Sequence, residues 1–177
     1  MPRVPGYDLD RFADDQPSFI PEALYTLGAA AACGAVARET TRMEGQFRDG
    51  GGTTVKEPWD FIHARGANPS AVADFSRTMM AERIREYGAI AVVTSVLRVR
   101  ESLRVREVQA VGSGSDYSLE DMQGVDAGVI EVAGIGGVYA SGIANRKRKQ
   151  VAGASSAVRR IGIVAFGGPQ LLIERVL

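Results

Sequence analysis

Only one cysteine, one histidine and three lysines occur in this 177-residue chain, and its acids and bases cancel to zero formal charge. Each scarcity excludes something. A lone thiol at Cys33 excludes an intrachain disulfide and gives no hint of a disulfide-stapled secreted domain. A lone imidazole at His63 excludes the clustered His/Cys sets of zinc sites. No Gly-x-Ser-x-Gly elbow and no phosphate-binding Walker loop occurs; Gly50-Gly51-Gly52 lacks the following Lys-Ser/Thr and a helix start behind it. The acids of residues 112–124 lack the spacing of a calcium loop, and Gly134-x-Gly136-Gly137 lacks the context of a dinucleotide fingerprint. No cofactor is implied. Nucleophilic catalysis would have to pair Cys33 with His63, on segments of unrelated character. With no net charge, no global field recruits a polyanion or a membrane. Met1 to Gly6 shows no basic-then-apolar leader pattern, so the cytoplasm is the expected compartment.

What is present suits one core: 45% of the residues are hydrophobic. Residues 1–60 carry ten acidic against six basic side chains, whereas residues 132–173 carry six basic and no acidic one. Such an acidic front and basic back are expected to touch, within the fold or between copies. Residues 1–21, with four prolines and scattered aromatics, read as an extended arm, and residues 22–177 as a single domain with a flexible loop at 112–124. Pro21 opens an alanine-rich helix over Ala23–Arg38, whose Gly28, Ala32, Cys33 and Gly34 allow close approach of another backbone. Its apolar run falls short of the ~20 residues of a membrane span. Residues 39–67 read as a connector in which Trp59, Phe61 and Ile62 plug the core edge.

The most strongly patterned stretch runs from Asn68 to Val99. Asn68 is a candidate N-cap, Pro69 suits a first turn and Gly88 a left-handed stop. Between them Val72, Phe75, Met79, Met80, Ile84 and Tyr87 share one face at 3.6-residue spacing. The run Ala89 to Val93 then predicts a buried strand beneath that face. Beyond it Leu97-Arg98-Val99-Arg100-Glu101 repeats as Leu103-Arg104-Val105-Arg106-Glu107. The alternation predicts either a hairpin turning over Glu101–Leu103 or one bulged strand. Either arrangement places Arg98, Arg100, Arg104 and Arg106 on one face, where they need anions between them. Val125–Ala144 reads as two strands, Val129–Val132 and Val138–Ile143, with Arg146, Lys147, Arg148 and Lys149 as a solvated loop. A small-residue membrane helix is the rival reading, opposed by Glu131 and the many glycines. Arg160–Phe166 and Leu171–Val176 form a hairpin around Gly167-Gly168-Pro169-Gln170. The sum is an α+β fold: a mainly antiparallel sheet with two principal helices packed on it.

The segment Gly88-Ala89-Ile90-Ala91-Val92-Val93, with Val105 to Gly112, resembles the small α/β domain family described as heavy-metal-binding, in which a helix likewise runs into such a strand. The resemblance spans about a quarter of the chain and implies a ring-shaped homo-oligomer. Its metal label does not carry over, because no cysteine or histidine lies in the matching segment.

The functional expectation is therefore a non-enzymatic subunit that assembles with copies of itself or with other subunits of a complex. Two alternatives stand beside it: nucleic-acid or other polyanion binding through Arg98, Arg100, Arg104 and Arg106 or through Arg146–Lys149, and a small enzyme using Cys33.

Overall fold

The computed structural model describes residues 4–16, 22–34, 40–62, 69–110, 112–139 and 141–177. Asn68 and His63 lie outside them, so neither the expected cap nor the histidine enters the account below. Among the described residues eight strands form one curled, mixed sheet: β1 (Gly6–Asp8), β2 (Thr40–Arg48), β3 (Thr54–Ile62), β4 (Leu103–Val108), β5 (Tyr117–Asp121), β6 (Asp126–Ile135), β7 (Arg159–Ala165) and β8 (Gln170–Val176), in the order β1-β3-β2-β8-β7-β6-β5-β4. The α+β class holds, but the sheet is not mainly antiparallel. The pairs β1–β3, β2–β8 and β6–β7 are parallel. The C-terminal hairpin β7–β8 forms as its turn chemistry predicts, with Gly162 opposite Ile173.

The helices are α1 (Phe12–Asp15), α2 (Glu22–Cys33), α3 (Pro69–Thr78), α4 (Ala81–Glu101) and α5 (Ser141–Val151). The largest departure from the sequence reading is α4. Residues 89–99 are not a strand but the continuation of a helix, buried without a break from Gly88 to Leu97. A helix that is apolar on every side needs cover on every side. Here the sheet curls around it, with Ile130, Val132, Val164, Leu171 and Ile173 facing it from β6, β7 and β8. The expected helix of residues 68–88 is two helices, broken at Met79 and Met80, where Met80 adopts an extended backbone. Gly88 is not a stop. A Cβ there would lie 2.9 Å from the Gly28 carbonyl oxygen, and one on Gly28 would lie 2.6 Å from Tyr87 Cβ, so the two glycines mark the crossing of α2 and α4. The helix ends instead at Ser102, in a left-handed conformation with φ 55°. β4 follows at once, and no hairpin turns over Glu101–Leu103.

Three other segments depart from expectation. The connector of residues 39–67 contains the β2–β3 hairpin, which buries Met43, Phe47, Trp59 and Phe61. The loop of residues 112–124 contains β5, with Tyr117 and Leu119 buried. Val138 and Tyr139 are not in a strand, and Ser141–Ile143 belong to α5, which carries the basic tetrapeptide and packs Ala144 and Val151 on Val129, Ile161, Ile163 and Leu172 of the outer face. Residues 4–16 do not form a free extended arm. Tyr7, Leu9 and Phe12 are buried in the main core, and the Gln16 side-chain oxygen accepts a hydrogen bond from the Val105 N–H at 3.2 Å. The segment thus bridges the two edge strands, β1 and β4, and seals the curl. Among the described residues no helix is long and apolar enough to cross a membrane.

Candidate binding site

The eight basic residues singled out by sequence do not form one surface. Because the chain changes from helix to strand at Ser102, Arg98 and Arg100 leave from the last turn of α4, while Arg104 and Arg106 stand on β4. The Arg98 Nε donates to Asp15 Oδ1 at 3.0 Å, and Asp15 Oδ2 also accepts the Tyr7 hydroxyl at 2.9 Å. Burial and that carboxylate push the Tyr7 hydroxyl's pKa upward. Arg100 pairs with Glu57 and stacks over the Phe47 ring, 4.1 Å from its centroid. Arg104 meets Glu120 directly across the β4–β5 ladder at 2.6 Å. On α5, Lys147 reaches Glu131 at 2.5 Å and Arg148 clasps Glu174 through two bonds of 2.6 and 2.8 Å. Arg106, Arg146 and Lys149 are exposed.

Five of the eight therefore meet carboxylates of their own chain. Nor do front and back mainly pair with each other. The front's Asp15 and Glu57 meet α4, and the back's Lys147, Arg148 and Arg160 meet Glu131, Glu174 and Glu101. Arg48–Glu174, at 3.4 Å, adds an ion pair to the β2–β8 ladder.

The outer face of β6, β7 and β8 carries the two charged side chains held under α5. Glu131 and Glu174 flank Ile161 in one row across the three strands. Their electrostatics differ. Glu131 is 1% exposed, its Oε2 has no partner among the described residues, and burial raises its pKa. The Arg148 guanidinium holds the Glu174 carboxyl below the usual range. Nearby, burial also raises Asp116, whose Oδ2 accepts the Val132 N–H at 2.7 Å. Among the described residues no group of three or more His, Cys, Asp or Glu is arranged to hold a metal ion. Cys33 packs at the edge of the main core, where burial pushes its thiol up to about 11. It is protonated at neutral pH and is a poor nucleophile.

Side chains that the sequence reading passed over converge with Arg100 elsewhere. Where α4 leaves the curl, an open cleft of about 540 Å³ is lined by Arg48, Arg100 and Arg175 and by apolar Phe47, Val55 and Ile173. These residues come from β2, β3, α4 and β8, so no local motif announces them.

The chain is, in class, an α+β protein whose curled mixed sheet wraps a buried helix, with its charged groups largely paired internally. Comparison with protein-family models, with curated proteins and with solved structures gives no match for it. The segment that resembles the heavy-metal-binding domain family has its Gly88–Val93 part inside α4.

Proposed function

We propose that this chain is a non-enzymatic subunit that works by assembling with copies of itself or with partner proteins. One observation carries the reading. α5 packs on the outer face of β6 and β7 and reaches β8 through Arg148, but among the described residues no helix packs across the outer face of β2 and β3. That face presents Arg42, Glu44, Lys56 and Asp60, of mixed sign, with Arg42 and Asp60 joined by two hydrogen bonds of 2.7 and 2.9 Å. Alternating charge of this kind is self-complementary under a two-fold rotation, the commonest symmetry of homo-oligomers. The protonated state of Cys33 and the pairing of most buried carboxylates fit a role without group transfer. The features that first suggested assembly are otherwise spent inside the fold: the aromatic front segment fills the core, and the small-residue helix packs on α4.

Multi-angle light scattering at micromolar concentration tests the proposal. A dimer or higher species that Lys56→Glu or Arg42→Glu returns to monomer is the expected result. A strict monomer with no partner retained in native purification would overturn it. Polyanion binding is favoured by one observation only, the exposure of Arg106, Arg146 and Lys149, which lie on two different elements.

A further inference from the structure

Two irregularities of the sheet fall side by side around Ser118. In β4 the register slips between Val105 and Glu107, so Arg106 and Glu107 together oppose Ser118 of β5. In β6 it slips between Gly128 and Asp126, so Ala127 and Gly128 together oppose Leu119. Gly128 fixes the second bulge: its φ is 105°, and a Cβ there would lie 2.2 Å from the Val158 carbonyl oxygen. Bulges re-aim side chains and are over-represented beside functional sites. Val105, Tyr117 and Leu119 belong to the core around α4, so strand alternation turns Ser118 to the outer face, beside Val129. Asp126, opposite Glu120, stands on the same face one step along.

Charge on this patch is not matched locally. Glu120 and Asp126 are like charges directly opposite, an unfavourable pair, and Arg104 meets only Glu120, at 2.6 Å. Among the described residues the side chains of Arg106 and Asp126 have no ion-pair or hydrogen-bond partner. Ser118 is 6% exposed, and its hydroxyl has no partner among them either. Leaving a buried hydroxyl unmatched is costly, and each such group calls for an explanation. All three residues line one open cleft of about 310 Å³, bounded on its far side by Ser155 and Ser156 of the loop between α5 and β7.

The groups around this cleft select a ligand class. A guanidinium fork matches a carboxylate, and an unpaired carboxylate matches an ammonium group. Opposite charges on β4 and β6, two strands apart and so about 10 Å between backbones, suit a molecule that carries both signs. No aromatic side chain lines the cleft, so a base or sugar ring has nothing to stack on. Its volume lies at the lower end of the range for small-molecule sites.

We propose that this cleft binds a small α-amino acid, its carboxylate on Arg106 with the Ser118 hydroxyl as a further donor, and its ammonium group on Asp126. The site lies on β4, β5 and β6, apart from the β2–β3 face assigned to assembly, so the two readings stand or fall separately.

Calorimetric titration of the full chain at low ionic strength with L-alanine, L-serine, acetate and ethylamine tests the assignment. At least one of the amino acids is expected to saturate a single site, and acetate and ethylamine, with one charge each, to bind about tenfold more weakly or less. Arg106→Gln and Asp126→Asn should each weaken binding about tenfold, as expected for loss of one charge-assisted contact. Both side chains are exposed, so an unchanged thermal melt is expected and separates a binding defect from misfolding. Ser118→Ala removes a hydroxyl that the fold leaves unmatched, so its melting temperature should hold or rise while binding weakens. Arg146→Gln, on α5 and outside the cleft, should bind as the wild type does. Absence of saturable binding by both amino acids overturns the proposal, as does acetate or ethylamine binding as tightly as they do. Unchanged binding by the folded Arg106→Gln and Asp126→Asn variants, or a lowered melting temperature in Ser118→Ala, overturns it equally.

Discussion

Alanine at Gly162 should destabilise the protein, and a second alanine at Val93 should restore much of the loss. Gly162 stands in β7 on the face turned to α4. A Cβ built there lies 2.7 and 2.8 Å from the two Val93 γ-carbons and 3.3 Å from Val93 Cβ. Carbon atoms repel steeply at such distances, since their contact optimum is about 3.5–4.0 Å. Val93 is fully buried, and a β-branched side chain in a helix has essentially one rotamer, so it has nowhere to swing. Overpacking of this kind costs about 1–3 kcal/mol. Val93→Ala alone removes two buried methyl groups and leaves a small cavity, a loss of about 2 kcal/mol. In the double variant the new methyl at residue 162 occupies the space vacated by valine. The two defects then partly cancel, with a coupling of at least about 1 kcal/mol. Urea denaturation followed by circular dichroism, applied to the wild type, both singles and the double, gives the cycle directly. Additivity within about 0.5 kcal/mol would refute the reasoning. It would mean that Val93 does not meet β7, and that the passage of α4 through the curl is wrong.

Ser102 holds a left-handed conformation that costs a non-glycine residue about 1 kcal/mol, so Ser102→Gly should raise stability by about 0.5–1 kcal/mol and Ser102→Val should lower it; a loss on introducing glycine would mean that α4 does not end there. The two carboxylates under α5 should titrate with opposite effect. Glu174, with its pKa depressed mainly by Arg148, contributes stability that is present above the ordinary value of 4.5 and is lost as pH falls through its lower folded-state value. Glu131, with its pKa raised by burial, stabilises more once protonated, so its contribution improves as pH falls toward 4.5. Glu174→Gln should therefore cost about 1–3 kcal/mol at neutral pH, from broken charge-assisted bonds, and progressively less in acid. The deficit of Glu131→Gln should instead grow as pH is lowered from 7 to about 5. Denaturant unfolding from pH 7 down to about 3 measures both slopes, that of Glu131 above 4.5 and that of Glu174 below it, and slopes of the same sign would contradict the assignment.

The parts of the fold that could be read from sequence were those whose neighbours are local. The β7–β8 hairpin carries its own turn residues, and Val72 and Phe75 mark the buried face of α3 by spacing alone. The misread parts depend on distant cover. Ala89 to Val96 is rich in β-branched residues and satisfies a strand as well as a helix, because a short apolar run carries no period. It becomes helix because a curled sheet leaves room for a helix along its axis. Reading α5 as a strand and a loop had a further cost. A parallel pair needs a crossover, usually a helix, and α5 is the crossover between β6 and β7. Without it the sheet could only look antiparallel. The β2–β3 hairpin was hidden by Gly45, Glu57 and Pro58, which interrupt an alternation that Met43, Phe47, Trp59 and Phe61 otherwise keep.

The arginine repeat shows why the candidate site was harder to read than the fold. Alternation puts Arg98, Arg100, Arg104 and Arg106 on one face only if every residue turns the side chain by 180°. Ser102 divides the repeat, and on the helical side each residue turns it by only about 100°. Arg98 is thereby sent toward Asp15 and Arg100 toward Glu57, on the two sides of α4's last turn. Charge pairing then depends on residues as far apart as Arg48 and Glu174, or Glu101 and Arg175. Composition fixes the sum of charge at zero but not who meets whom. Sheet register decides that, placing Arg48 beside Glu174 on the outer face and Arg175 with Glu101 on the inner one.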